Sequence, residues 1–347
     1  MSECCVAPAA AQASPCCCGG SNRKKAIAVN SRLSLGDILG RWKARWGIGR
    51  MNFKVEPGLY ALNSPDRQSP VVVTANYKMT FDILRRHLDG IAAWVLVLDT
   101  KGVNVWCAAG KGTFGTQELI ERVDGTGLAG QVDHRQLILP QLGAPGVAAH
   151  RVQQATGFKC SFGPVRAGDL PEYLTNGGQA TGKMRQVDFP VRERIALCPM
   201  ELVPALKVAL PVFGLMFLLN LVMAKPFGIA EFIVYGSTIM AGCLLGPLLL
   251  PVLPGRAFCQ KGFVLGLLWA WFLIEYLLPT LGFGPNLWQG MAYVLLVPAL
   301  CAVYLVLFTG STPFTSLSGV EKELKRYFPL LMTMLTVGLL LTIVWRF

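Results

Sequence analysis

Cys107 stands in the stretch LDTKGVNVWCAAGKGTFGT, residues 98–116, where residue types and spacing place a sulfur for chemistry. Asp99 closes an apolar run, Lys101-Gly102 turns the chain, and Asn104 is a good N-cap for a short helix over Val105 to Gly110, closed by Gly110 and Gly112. Cys107 then falls in the first helical turn, where the helix N-terminus favours negative charge. A thiolate there is a nucleophile or a soft metal ligand. Small Ala108 and Ala109 beside it leave room for a broad planar macrocycle with the sulfur directed at its metal, and haem and corrin both remain open. Three common motifs fail here. Val105 and Gly112 occupy the wrong places for a phosphate-binding loop, glycine replaces the second cysteine of a thioredoxin-type pair, and Gly110, Gly112 and Gly115 follow the strand too late for a dinucleotide fingerprint.

The elements that must position this thiol alternate. VVVT (71–74) and AWVLVLD (93–99) read as buried, fully apolar strands, and LILP (137–140) and FKCSFG (158–163) as a third and a fourth strand. Residues 81–88, 105–110, 116–123, 146–157 and 169–177 read as helices between and after them. Such βα units predict an α/β fold: a parallel sheet in a Rossmann- or flavodoxin-like sandwich over about 51–195, binding its ligand in the loops at the carboxyl ends of the strands. The candidate cofactor contacts in those loops are Thr74 and Asn76; Asn104, Val105, Trp106, Ala108, Ala109, Gly110, Lys111, Gly112, Thr113 and Phe114; Gln141, Gly143 and Pro145; and Gly163 and Pro164. For any single glycine, a tight βα turn is the better explanation.

At 347 residues, with 53% hydrophobic and only 15% charged residues, the chain is too apolar for disorder and points to lipid. The apolar excess lies in residues 200–347, which present five runs of about 20 residues near 204–224, 229–251, 262–280, 290–308 and 328–345, each long enough to cross a bilayer core of roughly 30 Å. These predict an all-α transmembrane bundle of five helices. Flanking Arg192, Arg194, Arg256, Lys261, Lys322, Lys325 and Arg326 stand against Lys225 and Arg346. The positive-inside rule therefore puts the α/β domain in the cytoplasm and the C-terminus outside, in a multi-pass cytoplasmic (inner) membrane protein. Glu275 is the conspicuous ionisable group within the runs.

The net charge of +12 comes from these flanks and from the N-terminal region, and no aromatic-basic platform supports nucleic-acid binding. Residues 1–34 read as a flexible tail without a signal peptide, holding Cys4, Cys5, Cys16, Cys17 and Cys18 in adjacent pairs and triples rather than a disulfide framework. Residues 35–50, LGDILGRWKARWGIGR, set Ile38, Leu39, Trp42 and Trp46 at helical spacing against Arg41, Lys43, Arg45 and Arg50. Such a basic amphipathic segment suits a membrane surface of anionic lipid, or is an ordinary helix packed on the next domain.

NVWCAAGK (104–111), with VVVTANYK (71–78), ILPQLGAPGVAAH (138–150) and GFKCSFGPVRAGDLP (157–171), resembles the HgcA-type corrinoid proteins of microbial mercury methylation. The resemblance covers the α/β domain and the five-span tail. It implies a cobalamin-type corrinoid bound base-off, with Cys107 as the lower axial ligand to cobalt from a cap helix. It implies a corrinoid-dependent methyltransferase passing a methyl group from methyl-cob(III)alamin to Hg(II), the methyl coming from a methyltetrahydrofolate-type donor through a methyltransferase. It also implies a separate ferredoxin-like iron–sulfur reductase (HgcB-like), since no C-x2-C-x2-C-x3-C run occurs in this chain. None of His87, His134 or His150 sits in a D-x-H-x-x-G cobalamin motif, which agrees with thiolate ligation. The N-terminal cysteines then have two readings, capture and relay of Hg(II), or a dispensable reduced tail. Competing with mercury methylation are a corrinoid methyl carrier of acetyl-CoA or one-carbon metabolism, a membrane-anchored flavin- or nucleotide-binding module, and a transporter with a cytoplasmic sensor domain.

Overall fold

Strands form where apolar residues run without interruption, and the sheet they build positions everything else. A computed structural model of the chain describes residues 26–312, 317–344 and 346; Cys4, Cys5, Cys16, Cys17 and Cys18 lie outside the described residues. Six strands, β1 (Ile27–Val29), β2 (Gly58–Leu62), β3 (Val71–Ala75), β4 (Ala93–Leu98), β5 (Gln136–Leu139) and β6 (Lys159–Phe162), form one sheet in the order β1-β2-β4-β3-β5-β6. Every residue of β3 and β4 is buried, as expected for strands covered on both faces.

The four strands legible in the sequence are mutually parallel, from β4 through β3 and β5 to β6. The expectation of a wholly parallel sheet needs correction, because β2 runs antiparallel to β4, Gly58 facing Val97 and Leu62 facing Ala93. Short β1 adds parallel to β2 at the edge. The tail expected to be flexible through residue 34 therefore contributes an ordered strand at 27–29.

Period-two alternation splits the core into two layers. Val71, Val73, Ala75, Leu96 and Leu98 face helices α3 (Val105–Gly110), α4 (Thr116–Thr126) and α5 (Ala149–Thr156), while Val72, Val95 and Val97 face α2 (Lys78–His87) and α6 (Leu170–Thr175). This is the three-layer α/β arrangement the pattern predicts.

Helix α1 (Leu35–Arg45) precedes the sheet proper and opens with a capping box, in which Asp37 N donates to Ser34 Oγ at 3.1 Å and Ser34 N to Asp37 Oδ2 at 2.9 Å. Asp37 also joins the helix to the domain through Lys78 and through Arg85 Nη2 at 2.7 Å, both of which bridge to fully buried Asp82. Burial opposes ionisation of Asp37, but the hydrogen bonds from Lys78, Ser34 and Arg85 outweigh it and hold the carboxyl well below its usual range. A depressed carboxylate contributes stability above its unfolded-state value, lost as pH falls through the folded one. Docking of α1 is therefore expected to weaken in acid below about pH 4. Asp37→Asn should cost about 1–3 kcal/mol at neutral pH. Amide exchange over 35–45 checks this, with unchanged protection in the variant as the contrary result.

After the α/β domain, the described residues include five helices long and apolar enough to cross a membrane: α7 (Val191–Leu219), then Ile229–Leu249, Phe258–Thr280, Leu287–Phe308 and Leu317–Val344. The first begins well before the expected 204, so the boundary placed between 195 and 200 falls inside one continuous helix. Arg194, near its start, donates to the carbonyls of Pro247 and Leu248 at 3.1 and 2.6 Å.

Glu275 sits exposed in a π-turn, Leu273–Leu277, and among the described residues of the long helices the buried carboxylate is instead Glu231, paired with Arg346 and accepting from Gln289 Nε2 at 3.0 Å. Arg346 also donates to Pro226 O at 2.8 Å, fastening the C-terminal end to the loop between the first two long helices.

Candidate functional site

The chain after β3 returns one way to β4, and the chain after β4 crosses back to β5, so the connections diverge between β3 and β5. In an open α/β sheet that switch point, at the carboxyl ends of the strands, leaves a crevice. A cavity of about 290 Å³ opens there. Its floor and walls are Val72, Val73 and Thr74 of β3, Ile138 and Leu139 of β5 with Pro140, and the turn Gly163-Pro164 after β6. Thr80, Ile83 and Leu84 of α2 close one side, and Asn104, Val105 and Trp106 at the start of α3 form the rim.

Asn104 caps α3 as its residue type predicts, its side-chain oxygen accepting from Cys107 N at 2.9 Å. Cys107 follows the rim residues on the same turn and is half-buried, next to the cavity but not itself one of its lining residues. The other described thiol of the α/β domain, Cys160, lies on β6, where burial pushes it up to about 11 and keeps it a neutral structural group.

Asn76 is not a cavity residue. It is 1% exposed and anchors the loop that carries α3. Its Nδ2 donates to Asp99 Oδ1 at 3.0 Å, and its Oδ1 accepts from Thr100 N at 3.1 Å, Thr100 Oγ1 at 2.9 Å and Gly102 N at 2.9 Å. Burial opposes ionisation of Asp99 at this loop, but hydrogen bonds from Lys101 and Asn76 outweigh it and hold the carboxyl below its ordinary range. Asn76→Ala strips four bonds and leaves buried donors unpaired, at an expected cost of about 2–4 kcal/mol. Thermal unfolding together with proteolysis of the 99–104 loop reads this effect. A melting point equal to that of the parent would contradict it.

Ala108 and Ala109 face inward, with 0% and 7% exposure, so their small size does not make room for a macrocycle as expected. They let α3 lie close against the turn 141–146. A Cβ on Gly146 would fall 3.2 Å from Ala109 Cα, and one on Gly143 would enter the Phe114 ring at 2.6 Å. Phe114 and Gly143 are thus packing partners. Thr113 N and Phe114 N both donate to Ala108 O, closing the helix, while Gly110 at its last position and Lys111 and Gly112 beyond it are exposed. Gln141 accepts from Arg185, and Pro145 is exposed.

Of the residues singled out in the sequence, the fold brings Thr74, Asn104, Val105, Trp106, Gly163 and Pro164 to the cavity. It adds Leu142, Val165 and Arg166, which lie in the loops expected to bind ligand but were not singled out as contacts, and Thr80 and Ile83, which lie outside those loops. Arg166 is held by Glu193 Oε1 at 2.6 Å and Asp188 O at 3.0 Å, linking the cavity wall to the first turn of α7. Thr80 and Ile83 carry the one usable signal, a helix following directly on a loop already suspected.

Residues 48–174 match the family model described as CO dehydrogenase/acetyl-CoA synthase delta subunit. The gamma subunit of the acetyl-CoA decarbonylase/synthase complex of Methanopyrus kandleri is 35% identical over 127 residues, which is 36% of this chain and 27% of that protein. The corresponding subunit of Methanocaldococcus jannaschii is 33% identical over 124 residues, 35% of this chain and 25% of that protein. That of Methanothermobacter thermautotrophicus is 30% identical over 158 residues, 44% of this chain and 34% of that protein. The chain thus spans between a quarter and about a third of the length of these relatives. The family match takes in β2 to β6, the cavity's switch point and α3 with Cys107, and stops short of the five long helices.

Proposed function

We propose that this chain is a membrane-anchored, corrinoid-dependent methyltransferase in which Cys107 would hold the cobalt of the corrinoid through its thiolate and Hg(II) would accept the methyl group. The observation that carries the reading is the placement of a half-buried thiol on an N-capped helical turn beside a cavity at the switch point. The donor set fits a thiophilic metal. None of the three histidines lines the cavity, and His134 is engaged with Ser69 O at 3.0 Å, away from it. When bound, base-off, such a cofactor supplies methyl transfer with both bonding electrons, a carbanion equivalent suited to a soft Hg(II) thiolate, and needs two electrons to be restored.

The chain's own residues do the positioning. Asn104 fixes the first turn of α3 through Cys107 N, so the sulfur's place is set by the cap and by the loop that Asn76 holds. Val105 and Trp106 present apolar surface over Thr74, Gly163 and Pro164 and exclude water from the face toward the sheet. A carbanion equivalent would be quenched by a proton in bulk water, which is the chemical need for such exclusion.

The electrons come in this reading from a ferredoxin-like iron–sulfur protein, and the methyl group from a methyltetrahydrofolate-type donor through a methyltransferase. The five long helices anchor the protein in the cytoplasmic membrane with the α/β domain inside, in keeping with the excess of Arg and Lys on that side. A second reading, a corrinoid methyl carrier serving acetyl-CoA synthesis, is favoured by the similarity of residues 48–174 to acetyl-CoA decarbonylase/synthase subunits.

One experiment separates the two: anaerobic incubation of the corrinoid-loaded protein and a low-potential reductant with either Hg(II) thiolate or an acetyl-CoA synthase. Methylmercury formation supports the proposal. Transfer to the synthase with none to Hg(II) supports the second reading, and failure to retain corrinoid at all refutes both.

A further inference from the structure

Helix α1 is inside out for a soluble protein. Leu35, Leu39, Trp42 and Trp46 recur along one stripe, and the stripe points to solvent, with Leu35 79%, Leu39 61% and Trp42 61% exposed. The opposite face is made of small residues. Ala44 is fully buried, and a Cβ on Gly40 would enter the Phe53 ring at 2.6 Å. The helix does pack on the next domain, as the second alternative drawn from the sequence has it, but through this inner face and Asp37, which leaves its apolar stripe uncovered. Ile48 and Met51 extend the exposed apolar strip beyond the helix, at 63% and 68%.

One flank of the strip is strongly basic. Arg32, Arg41, Arg45 and Arg86 line a groove with Ile38 and Trp42, where Asp89, held by Ser31 Oγ, is the acidic group. Among the described residues no carboxylate pairs with Arg41 or Arg45. Burial, with repulsion from Arg41 and then from Arg192 only partly offset by Tyr77, lowers the proton affinity of Arg45. Uncompensated guanidinium groups beside exposed tryptophans are what a surface of anionic headgroups over acyl chains complements.

The level of the strip is also fixed. α1 packs on α7, and Arg50 meets Met200, about two turns before α7 becomes continuously apolar at Val208, with Glu201 and Lys207 between. An exposed tryptophan at that height faces the interface, where its amphipathic ring is favoured.

We infer that α1 and the adjoining strip to Met51 form an interfacial lipid-binding element that seats the α/β domain on anionic phospholipid of the leaflet entered by the N-terminal end of α7. This rests on the membrane placement proposed above and is independent of the cofactor. It gives the cavity a fixed height over the bilayer, since Lys78 and Arg85 of α2 hold Asp37 of α1, and Thr80, Ile83 and Leu84 of the same helix wall the cavity.

The test uses the full-length protein in nanodiscs containing a photoactivatable phosphatidylglycerol or, separately, the matching phosphatidylcholine, with adducts mapped by mass spectrometry. Adducts are expected on 35–51 with phosphatidylglycerol, falling by roughly tenfold or more with phosphatidylcholine and in the double variant Arg41→Gln/Arg45→Gln. Circular dichroism checks that the variant is folded, and Leu39→Ser/Trp42→Ser should lose the adducts independently. Equal labelling by both lipids overturns the anionic assignment. Labelled long helices with a clean 35–51 segment, or crosslinks joining two copies through it, overturn the inference and leave the membrane placement standing. Unlabelled long helices would remove that placement instead.

Discussion

Cys107→Ala is expected to abolish methyl transfer to Hg(II), by more than about 100-fold, because loss of a direct metal ligand exceeds the 10- to 100-fold effect of removing an outer-shell partner. The fold should survive the change. Asn104 caps α3 through the backbone N of residue 107, not through its sulfur, and alanine is a better helix former than cysteine. The variant should therefore insert in membranes and unfold at the parent temperature while its loaded visible spectrum shifts. Cys160→Ala is the control, since that thiol is held neutral in a strand, and its activity should stay within about twofold of the parent by the rule that a neutral structural cysteine is inert. Full activity in Cys107→Ala, or equal loss in the two variants, would remove Cys107 from the chemistry.

Gly146→Ala should disable the site without touching the thiol. An added Cβ would sit 2.1 Å from Phe114 O, a backbone atom that no rotamer change can move, and 3.2 Å from Ala109 Cα. Relief requires the turn 141–146 to separate from α3, at a cost of about 3 kcal/mol or more. Corrinoid retention on gel filtration should fall with it, because α3 loses its seat. Gly110→Ala is the matched comparison. Nothing lies within 4 Å of a Cβ there, and the helix should gain slightly, by about 0.5–1 kcal/mol. Equal melting points and equal retention for the two variants would contradict the packing argument.

β3 and β4 were legible because they are buried on both faces and read as unbroken apolar runs, and β5 and β6, only partly buried, because each is a short β-rich run between helical segments. β1 and β2 were not. Ile27–Val29 is three residues in a stretch of small and polar ones, and Gly58–Leu62 follows Pro57 and starts on glycine, so neither carries enough pattern to outweigh its neighbours. The antiparallel pairing of β2 with β4 was out of reach for the same reason. Pairing direction belongs to a strand whose existence the sequence leaves open.

The site divides likewise. Asn104 and Cys107 were legible because N-capping is local chemistry written in adjacent residues. Ala108 and Ala109 were misread because a helix of one and a half turns has no periodicity from which to tell its inner face from its outer one. Asn76 was found, but as a ligand contact. Only the tertiary fold reveals that its amide is already occupied by the loop from Asp99 to Gly102. Arg166 was passed over inside a turn read for its glycine and proline. Among the long helices, Glu275 drew notice by standing alone in sequence, whereas Glu231 is balanced by Arg346 from the far end of the chain, a pairing that no local pattern can announce.

X-ray absorption at the cobalt edge of the loaded full-length protein addresses the central claim most directly. A sulfur scatterer at bonding distance, absent from the same spectrum of Cys107→Ala, is the predicted result. A first shell of nitrogen and oxygen alone, identical in the two proteins, would contradict it.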